Sequence, residues 1–200
     1  MNEKVILIGA SGHGKVIFDI VRAQGDTVIG FLDDNATGTR CGVPVLGPIS
    51  DAEKYPEAKF IIAIGANHVR KRIAAELNVQ WHTAVHPNAV VSPSAVIGEG
   101  TVVMAGAVVQ AEAVVGDHCI LNTGCIVEHE NRISSYAHLS PRSALGGNVS
   151  IGEESHIGIG ACVRNNISIC GGCTVGAGAA VVSDLNEPGV YVGVPARRMK

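Results

Sequence analysis

Aromatic residues are scarce in this 200-residue chain: Phe, Trp and Tyr make up 4% of it. A core with so few rings has to be built from narrow aliphatic side chains. No stretch approaches the roughly 18 apolar residues of a membrane span, so no transmembrane helix is expected. There is no block of Lys and Arg, and the formal net charge is −3. Nucleic acid is therefore not an expected partner. The start, Met1-Asn2-Glu3-Lys4, lacks a signal-peptide pattern, which points to the cytoplasm. Six cysteines include one C-x-x-C, Cys170-Gly-Gly-Cys173, but no second pair completes a zinc site. No metal is expected, and the cysteines read as small buried hydrophobes.

What the chain does have is a period of six. Every sixth residue from Val85 to Val181 is Val, Ile or Leu, at 17 positions out of 17. Such a period belongs neither to a helix nor to a simple strand. It marks a parallel β-helix, whose short strands are the flat sides of a triangular coil. Three hexads make one coil, so residues 18 apart stack on each other. Four places after each aliphatic the residue is small in 13 of 16 cases, Asn131, Val149 and Ile167 being the exceptions. A small residue suits a tight corner. Glycine recurs one place after the aliphatic, at Gly98, Gly116, Gly146, Gly152, Gly158 and Gly176, where a turn would use its freedom of φ.

The first eighty residues follow another pattern. Val5-Ile-Leu-Ile8 reads as a buried strand, followed by Gly9-Ala-Ser-Gly12-His13-Gly14 and an amphipathic helix over 15–23. Strands over 27–32 and 60–64 and a helix over 69–77 complete the alternation. The fold class expected is an α/β Rossmann-like domain over residues 1–82, then an all-β parallel β-helix over 83–200 with a C-terminal tail. The glycine spacing is G-x-x-G-x-G rather than the dinucleotide G-x-G-x-x-G. It reads either as a tight strand-to-helix turn or as a seat for a phosphate at a helix N-terminus. Asp33, at the end of the second strand, stands where an acidic residue meets a ribose or a base edge. The short domain favours a mononucleotide or a nucleotide-sugar over a dinucleotide.

Stacking also places the candidate chemistry. Of the histidines inside the repeat (His118, His129, His138 and His156), His138 and His156 are 18 apart, as are His129 and Gly147. A glycine beside an imidazole leaves room for a substrate and exposes a backbone N–H near a base. That is what acyl transfer needs. Glu130 would point away from His129 on a flat strand. It reaches an imidazole only at a corner, or on a neighbouring chain.

In order along the chain, several segments carry a resemblance: Gly9-Ala-Ser-Gly-His-Gly14, Phe31-Leu-Asp-Asp34, Ile62-Ala-Ile-Gly65-Ala-Asn67, Asn122-Thr-Gly-Cys-Ile-Val-Glu128-His129-Glu130, His138, Gly146-Gly147-Asn148-Val-Ser-Ile-Gly152 and Gly193-Val-Pro195-Ala-Arg197. Together they resemble the hexapeptide-repeat sugar acyltransferases of the sialic-acid O-acetyltransferase and UDP-bacillosamine N-acetyltransferase type. The resemblance implies a left-handed β-helix, against the usual right-handed crossover. It implies acetyl-CoA as co-substrate and a homotrimer with sites between neighbouring β-helices. It implies His129 as general base, Glu130 as its support, Gly147 N–H as oxyanion donor, and Asn122 and His138 in the site. Ser11, Gly12, His13, Gly14, Asp33, Asp34, Gly65 and Asn67 would hold the nucleotide-sugar. Gly147, Ile159 and Ala177 would meet the CoA. Asn131-Arg132-Ile-Ser-Ser replaces the Cys/Gly-rich run common after the base, which is expected to alter packing or substrate fit.

The function expected is N-acetylation of the 4-amino group of a UDP-linked 4-amino-4,6-dideoxy sugar. O-acetylation of a sialic acid or another sugar hydroxyl is the nearest alternative. A metal-dependent hydratase would need three convergent imidazoles. A non-catalytic nucleotide-binding scaffold would leave His129, Glu130 and Gly147 without a role.

Overall fold

The computed structural model describes residues 2–199. Strand β1 (Lys4–Ile8), helix α1 (Gly12–Gln24), β2 (Thr27–Leu32), β3 (Thr39–Arg40), β4 (Val43–Gly47), a 3-10 helix (Ile49–Lys54), β5 (Lys59–Ile62) and α2 (Asn67–Glu76) follow in order. The sheet order is β3-β4-β2-β1-β5, all parallel except for the β3–β4 hairpin. Val5 to Ile8 are buried because both faces of β1 are covered, which is why this strand is an unbroken apolar run. Helix α1 buries Ile17, Phe18, Ile20 and Val21 on one stripe and ends at Gly25, whose left-handed conformation lets its N–H reach back to Arg22 and Val21. The chain passes from β1 to β2 on one side, while β5 lies on the other. A switch-point crevice therefore opens at the carboxyl ends of β1 and β5.

Sequence patterns alone do not place β3, β4 or the 3-10 helix, since Pro44 and Gly47 interrupt the apolar run. The hairpin turns on Cys41 and Gly42, both with positive φ (51° and 80°), the pattern of a type I′ turn. Cys41 is exposed there, and Cys162 is exposed on the outside of the β-helix. The expectation that the cysteines are uniformly buried is corrected at these two positions.

From Ala84 onward the chain forms a prism with three parallel faces. Face one holds Val90–Val91, Val108–Val109, Ile126–Val127, Ala144–Leu145, Cys162–Val163 and Ala180–Val181. Face two holds Val96–Ile97, Val114–Val115, Arg132–Ile133, Ser150–Ile151 and Ser168–Ile169. Face three begins at Ala84–Val85 and continues through Val102–Val103, Ile120–Leu121, His138–Leu139 and His156–Ile157. Register is one coil per 18 residues as far as Val181, as in the pairs Ile120↔His138 and His138↔His156, and shortens to 16 in the closing coil, as in Cys173↔Gly189. The aliphatics of the six-residue period fill the interior together with the small corner residues. The tail closes the last coil: Gly189–Val192 pairs with Cys173–Val175, and Tyr191 is buried at the end of the core.

The recurring glycines have a different cause from the one expected. None of Gly98, Gly116, Gly146, Gly152, Gly158 or Gly176 has a positive φ. A Cβ at these positions would instead strike the next coil, at 2.6 Å from Asn165 N for Gly146 and 2.2 Å from Gly171 N for Gly152. The left-handed residue of each hexad comes two places later. It is Glu112, His118, Gly124, Glu130, Tyr136, Arg142, Asn148 and onward. Close approach places glycine in one position, and the bend itself falls in the other.

The α/β unit packs on face three. Val5, Leu7, Ile17, Phe18 and Val21 share one buried cluster with Ala84, Val102, Met104 and Ile120. This contact brings the switch-point crevice beside His138 and its neighbours.

Candidate active site

His129 sits at the corner between faces one and two. The left-handed turn at Glu130 (φ 61°) folds its carboxylate back, and His129 Nδ1–H donates to Glu130 Oε2 at 3.0 Å. Adjacent residues meet because the corner bends the chain, one of the two alternatives that stacking left open. With Nδ1 occupied as donor, Nε2 carries the lone pair. Both side chains are exposed, at 58% and 59%. One coil on, Gly147 lies under the imidazole: a Cβ there would be 2.5 Å from His129 Nε2. Among the described residues nothing accepts from the Gly147 N–H, while its neighbour Asn148 N–H donates to His129 O at 2.9 Å. A base lone pair and a free N–H thus face one cleft of about 370 Å³, lined also by Glu128, Asn148, Asn165 and Asn166. Asn165 stands 36 residues, or two coils, from His129. The same stacking arithmetic that finds Gly147 finds it, although the motif does not.

Asn122 and His138 form a second cluster, on face three. Asn122 Oδ1 accepts the Thr123 N–H at 2.8 Å, which turns its amide nitrogen toward His138 Nε2 at 3.2 Å. The imidazole therefore accepts through Nε2 and holds its proton on Nδ1. Burial, then the nearby His156, Arg70 and His13, push its pKa down to about 3, so the ring is neutral across the physiological range. His138 stacks on His156 with ring centres 4.7 Å apart and planes at 1°. His156 Nε2 meets Ser140 Oγ at 2.7 Å, repeating the Asn122–His138 pair one coil later. Ile159 and Ala177 stack at a third place, the corner between faces three and one, and both are exposed. The corner bearing His129 is opposite face three, so one protomer does not bring His129 and His138 together. Among the described residues the one cluster with metal-ligand geometry is Glu3, Asp26 and His82. It holds a single imidazole and lies away from both groups.

In the α/β unit the loop glycines divide by role. Gly9 has φ +109°, and a Cβ on Gly14 would lie 2.3 Å from Gly9 O, so both serve the fold. Gly12 and Gly65 have neither a positive φ nor any atom near a Cβ. They leave space at the mouth of the crevice. Ser11 caps α1 without a side-chain hydrogen bond, and the first turn of α1 carries no acidic residue. Its N-terminal N–H groups are therefore not neutralised locally. His13 beside them is held at a pKa of about 4, first by burial and then by Arg70. Asp33 turns inward: Oδ2 accepts Ala10 N–H and Oδ1 accepts Asn35 and Ala36 N–H at 2.8–2.9 Å. Asp33 thus ties the glycine loop to the end of β2. Asp34 is the exposed member of the pair, accepts the Ile49 N–H at 2.9 Å, and lines a cleft of about 560 Å³ with Ser50, Glu53 and Arg72. Asn67 spans the units, donating to Glu154 O at 2.8 Å.

Residues 4–77 match the family model of the PglD N-terminal domain. The acetyltransferase domain of PglB from Neisseria gonorrhoeae FA1090, solved also in complex with acetyl coenzyme A, is 42% identical with a TM-score of 0.95, over 99% of this chain and 100% of that one in the uncomplexed structure. The chain belongs to the hexapeptide-repeat sugar acetyltransferases. Another member, PerB from Caulobacter crescentus in complex with CoA and GDP-perosamine, is 38% identical with a TM-score of 0.95, over 98% of this chain and 97% of that one. Among curated proteins, the UDP-N-acetylbacillosamine N-acetyltransferase of Bacillus subtilis (strain 168) is 44% identical over 111 residues, 51% of its length. The uncharacterized protein L142 of Acanthamoeba polyphaga mimivirus is 40% identical over 98 residues, 20% of its length. The chain thus spans about half or less of these curated relatives. No helix among the described residues is long and apolar enough to cross a membrane.

Proposed function

We propose that this protein transfers the acetyl group of acetyl-CoA to the 4-amino group of a UDP-linked 4-amino-4,6-dideoxy sugar. The observation that carries this reading is the His129 Nε2 lone pair facing the free Gly147 N–H across one cleft. The amine lone pair attacks the thioester carbonyl carbon while His129 Nε2 takes an amine proton. Gly147 N–H stabilises the oxyanion, and Glu130 the imidazolium. Collapse of the tetrahedral intermediate breaks the C–S bond, and the CoA thiolate leaves with the proton held by His129. An N-acetyl sugar and free CoA result, with no covalent enzyme intermediate and no thiol nucleophile. This agrees with Cys119 and Cys125, whose burial pushes their thiols up to about 12.

The diphosphate would sit at the α1 N-terminus over Ser11, Gly12, His13 and Gly14, with the base toward Asp34. Asp33 would act by holding the loop, and Gly65 and Asn67 would bound the sugar. Asn122 and neutral His138 offer polar atoms beside it. Ile159 and Ala177 would carry the CoA arm. Since base and sugar seat lie on opposite sides of one protomer, the working site is read as shared between protomers of a homotrimer. Exposed apolar residues beside the His129 corner support this: Val90 (62%) and Ile126 (38%) on face one, Val96 (58%) and Val114 (37%) on face two. The cytoplasm, where acetyl-CoA and nucleotide-sugars are made, is the compartment this reading assigns. The test is thiol release from acetyl-CoA against UDP- and GDP-linked sugars with and without a free 4-amine, beside free sialic acid. Turnover confined to a UDP-linked amine is expected. Turnover on a hydroxyl acceptor alone would move the function to O-acetylation, and preference for a GDP-linked amine would correct the nucleotide.

A further inference from the structure

Arg70 is the only Lys, Arg, Asp or Glu side chain buried among the described residues, at 1% exposure. It lies on α2, one turn after Asn67 and in the same stripe as Ile73. All its N–H groups are used. Nε donates to His118 O (3.0 Å), Nη1 to Ile64 O (3.1 Å) and Gly65 O (2.9 Å), and Nη2 to Asn67 Oδ1 (2.9 Å) and Tyr136 O (2.8 Å). No carboxylate hydrogen-bonds to it among the described residues. The acceptors come from two places. Ile64, Gly65 and Asn67 form the loop after β5, at the mouth of the crevice. His118 and Tyr136 are left-handed residues at the same corner on successive coils of the β-helix, and Asn67 reaches that corner one coil further through Glu154 O.

Burying a guanidinium among neutral dipoles is unfavourable, and its pKa falls to about 10 through that burial. An apolar side chain would fill the space without that cost. The charge accomplishes something packing does not. It gathers six oxygens, Ala137 O at 3.4 Å from Nη2 being the sixth, which repel one another, onto one point and so fixes the loop against the corner. After burial, its field also helps to lower the pKa of His13, His138 and His156. These imidazoles are on or beside the seat assigned to the sugar.

We propose that Arg70 is a positioning residue for the nucleotide-sugar: it clamps the Ile64–Asn67 loop to two stacked corners of the β-helix and so sets where the sugar lies over His138. The proposal rests on the acetyl-transfer reading. Its test is steady-state kinetics of Arg70→Met and Arg70→Lys, varying each substrate separately, with circular dichroism as a check of folding. Lys71→Ala is the control. Lys71 ties α2 to Glu153 and Glu154 from outside and touches no loop carbonyl. Arg70→Met is expected to raise KM for the nucleotide-sugar about tenfold or more while leaving KM for acetyl-CoA within about twofold. Arg70→Lys should recover part of that loss, and Lys71→Ala should leave both constants as they are. An unchanged sugar KM in folded Arg70→Met, or equal rises in both constants, would overturn the proposal. So would failure of both Arg70 variants to fold, which would assign the residue to stability alone. A wild-type protein that turns over no nucleotide-linked amino sugar would instead remove the functional reading, and the proposal with it.

Discussion

At the scale of single residues, His129 and Gly147 define what the corner can do. Their relation was legible in the sequence because the period of six is unbroken, which makes 18-residue stacking a matter of counting. Glu130 was only half legible. Its approach to His129 depends on a left-handed φ that no glycine announces. Arg70 was not legible at all, since an arginine in a short amphipathic helix ordinarily reads as a solvated residue. Its burial follows from the docking of α2 against the stacked corners at His118, Tyr136 and Glu154. The Gly147 position yields a direct prediction. In Gly147→Ala the new Cβ would fall 2.5 Å from His129 Nε2, so the imidazole has to leave its place. A displacement of about 1 Å at a reacting group costs on the order of 10² in rate. Turnover is therefore expected to fall by about that factor, with little change in melting temperature. A Gly147→Ala protein with wild-type kcat would show that the stacking of His129 on Gly147 does not matter to the chemistry.

At the scale of elements, each hexad solves one problem twice. Where the residue after the aliphatic is glycine the next coil passes too close for a Cβ, and the third residue after the aliphatic bends left-handed. Glycine was visible in the first role but was assigned the second, because sequence shows composition and not φ. The acidic pair after β2 was legible as a pair. The division of labour between Asp33 and Asp34 was not, because it depends on the glycine loop folding back over the end of β2. Removing Asp33 leaves three backbone N–H groups without their acceptor. Asp33→Ala is expected to lower unfolding free energy by about 1–3 kcal/mol, as read by urea denaturation, and more than Asp34→Ala does. Burial raises the Asp33 pKa, but the N–H donors outweigh it and hold the value below the ordinary 3.8. Its contribution is thus full above that pH and is lost as pH falls below it. Equal stability of Asp33→Ala and the wild type at neutral pH would remove the loop-tying role.

At the scale of the whole molecule, the two units are joined by a shared apolar cluster and by Arg70, and their chemistry is divided. The proposed base, His129, is at a corner on one side of the prism, and the proposed nucleotide-sugar seat is on the other. The β-helix and the α/β order were plain from periodicity. The β3–β4 hairpin was not, since its two-residue turn is Cys-Gly rather than the familiar Asn-Gly. Which face the α/β unit covers was also not readable, because outward residues such as Ile120 look like any other strand position. Acetyl transfer by His129 is the claim on which the rest depends. The measurement that tests it most directly is thiol release from acetyl-CoA with a UDP-linked 4-amino sugar, run for the wild type beside His129→Ala. The wild type should turn over, and the variant should retain its fold and lose about 10²–10⁴ in kcat. A variant that works at the wild-type rate would contradict the assignment of the base and the mechanism built on it.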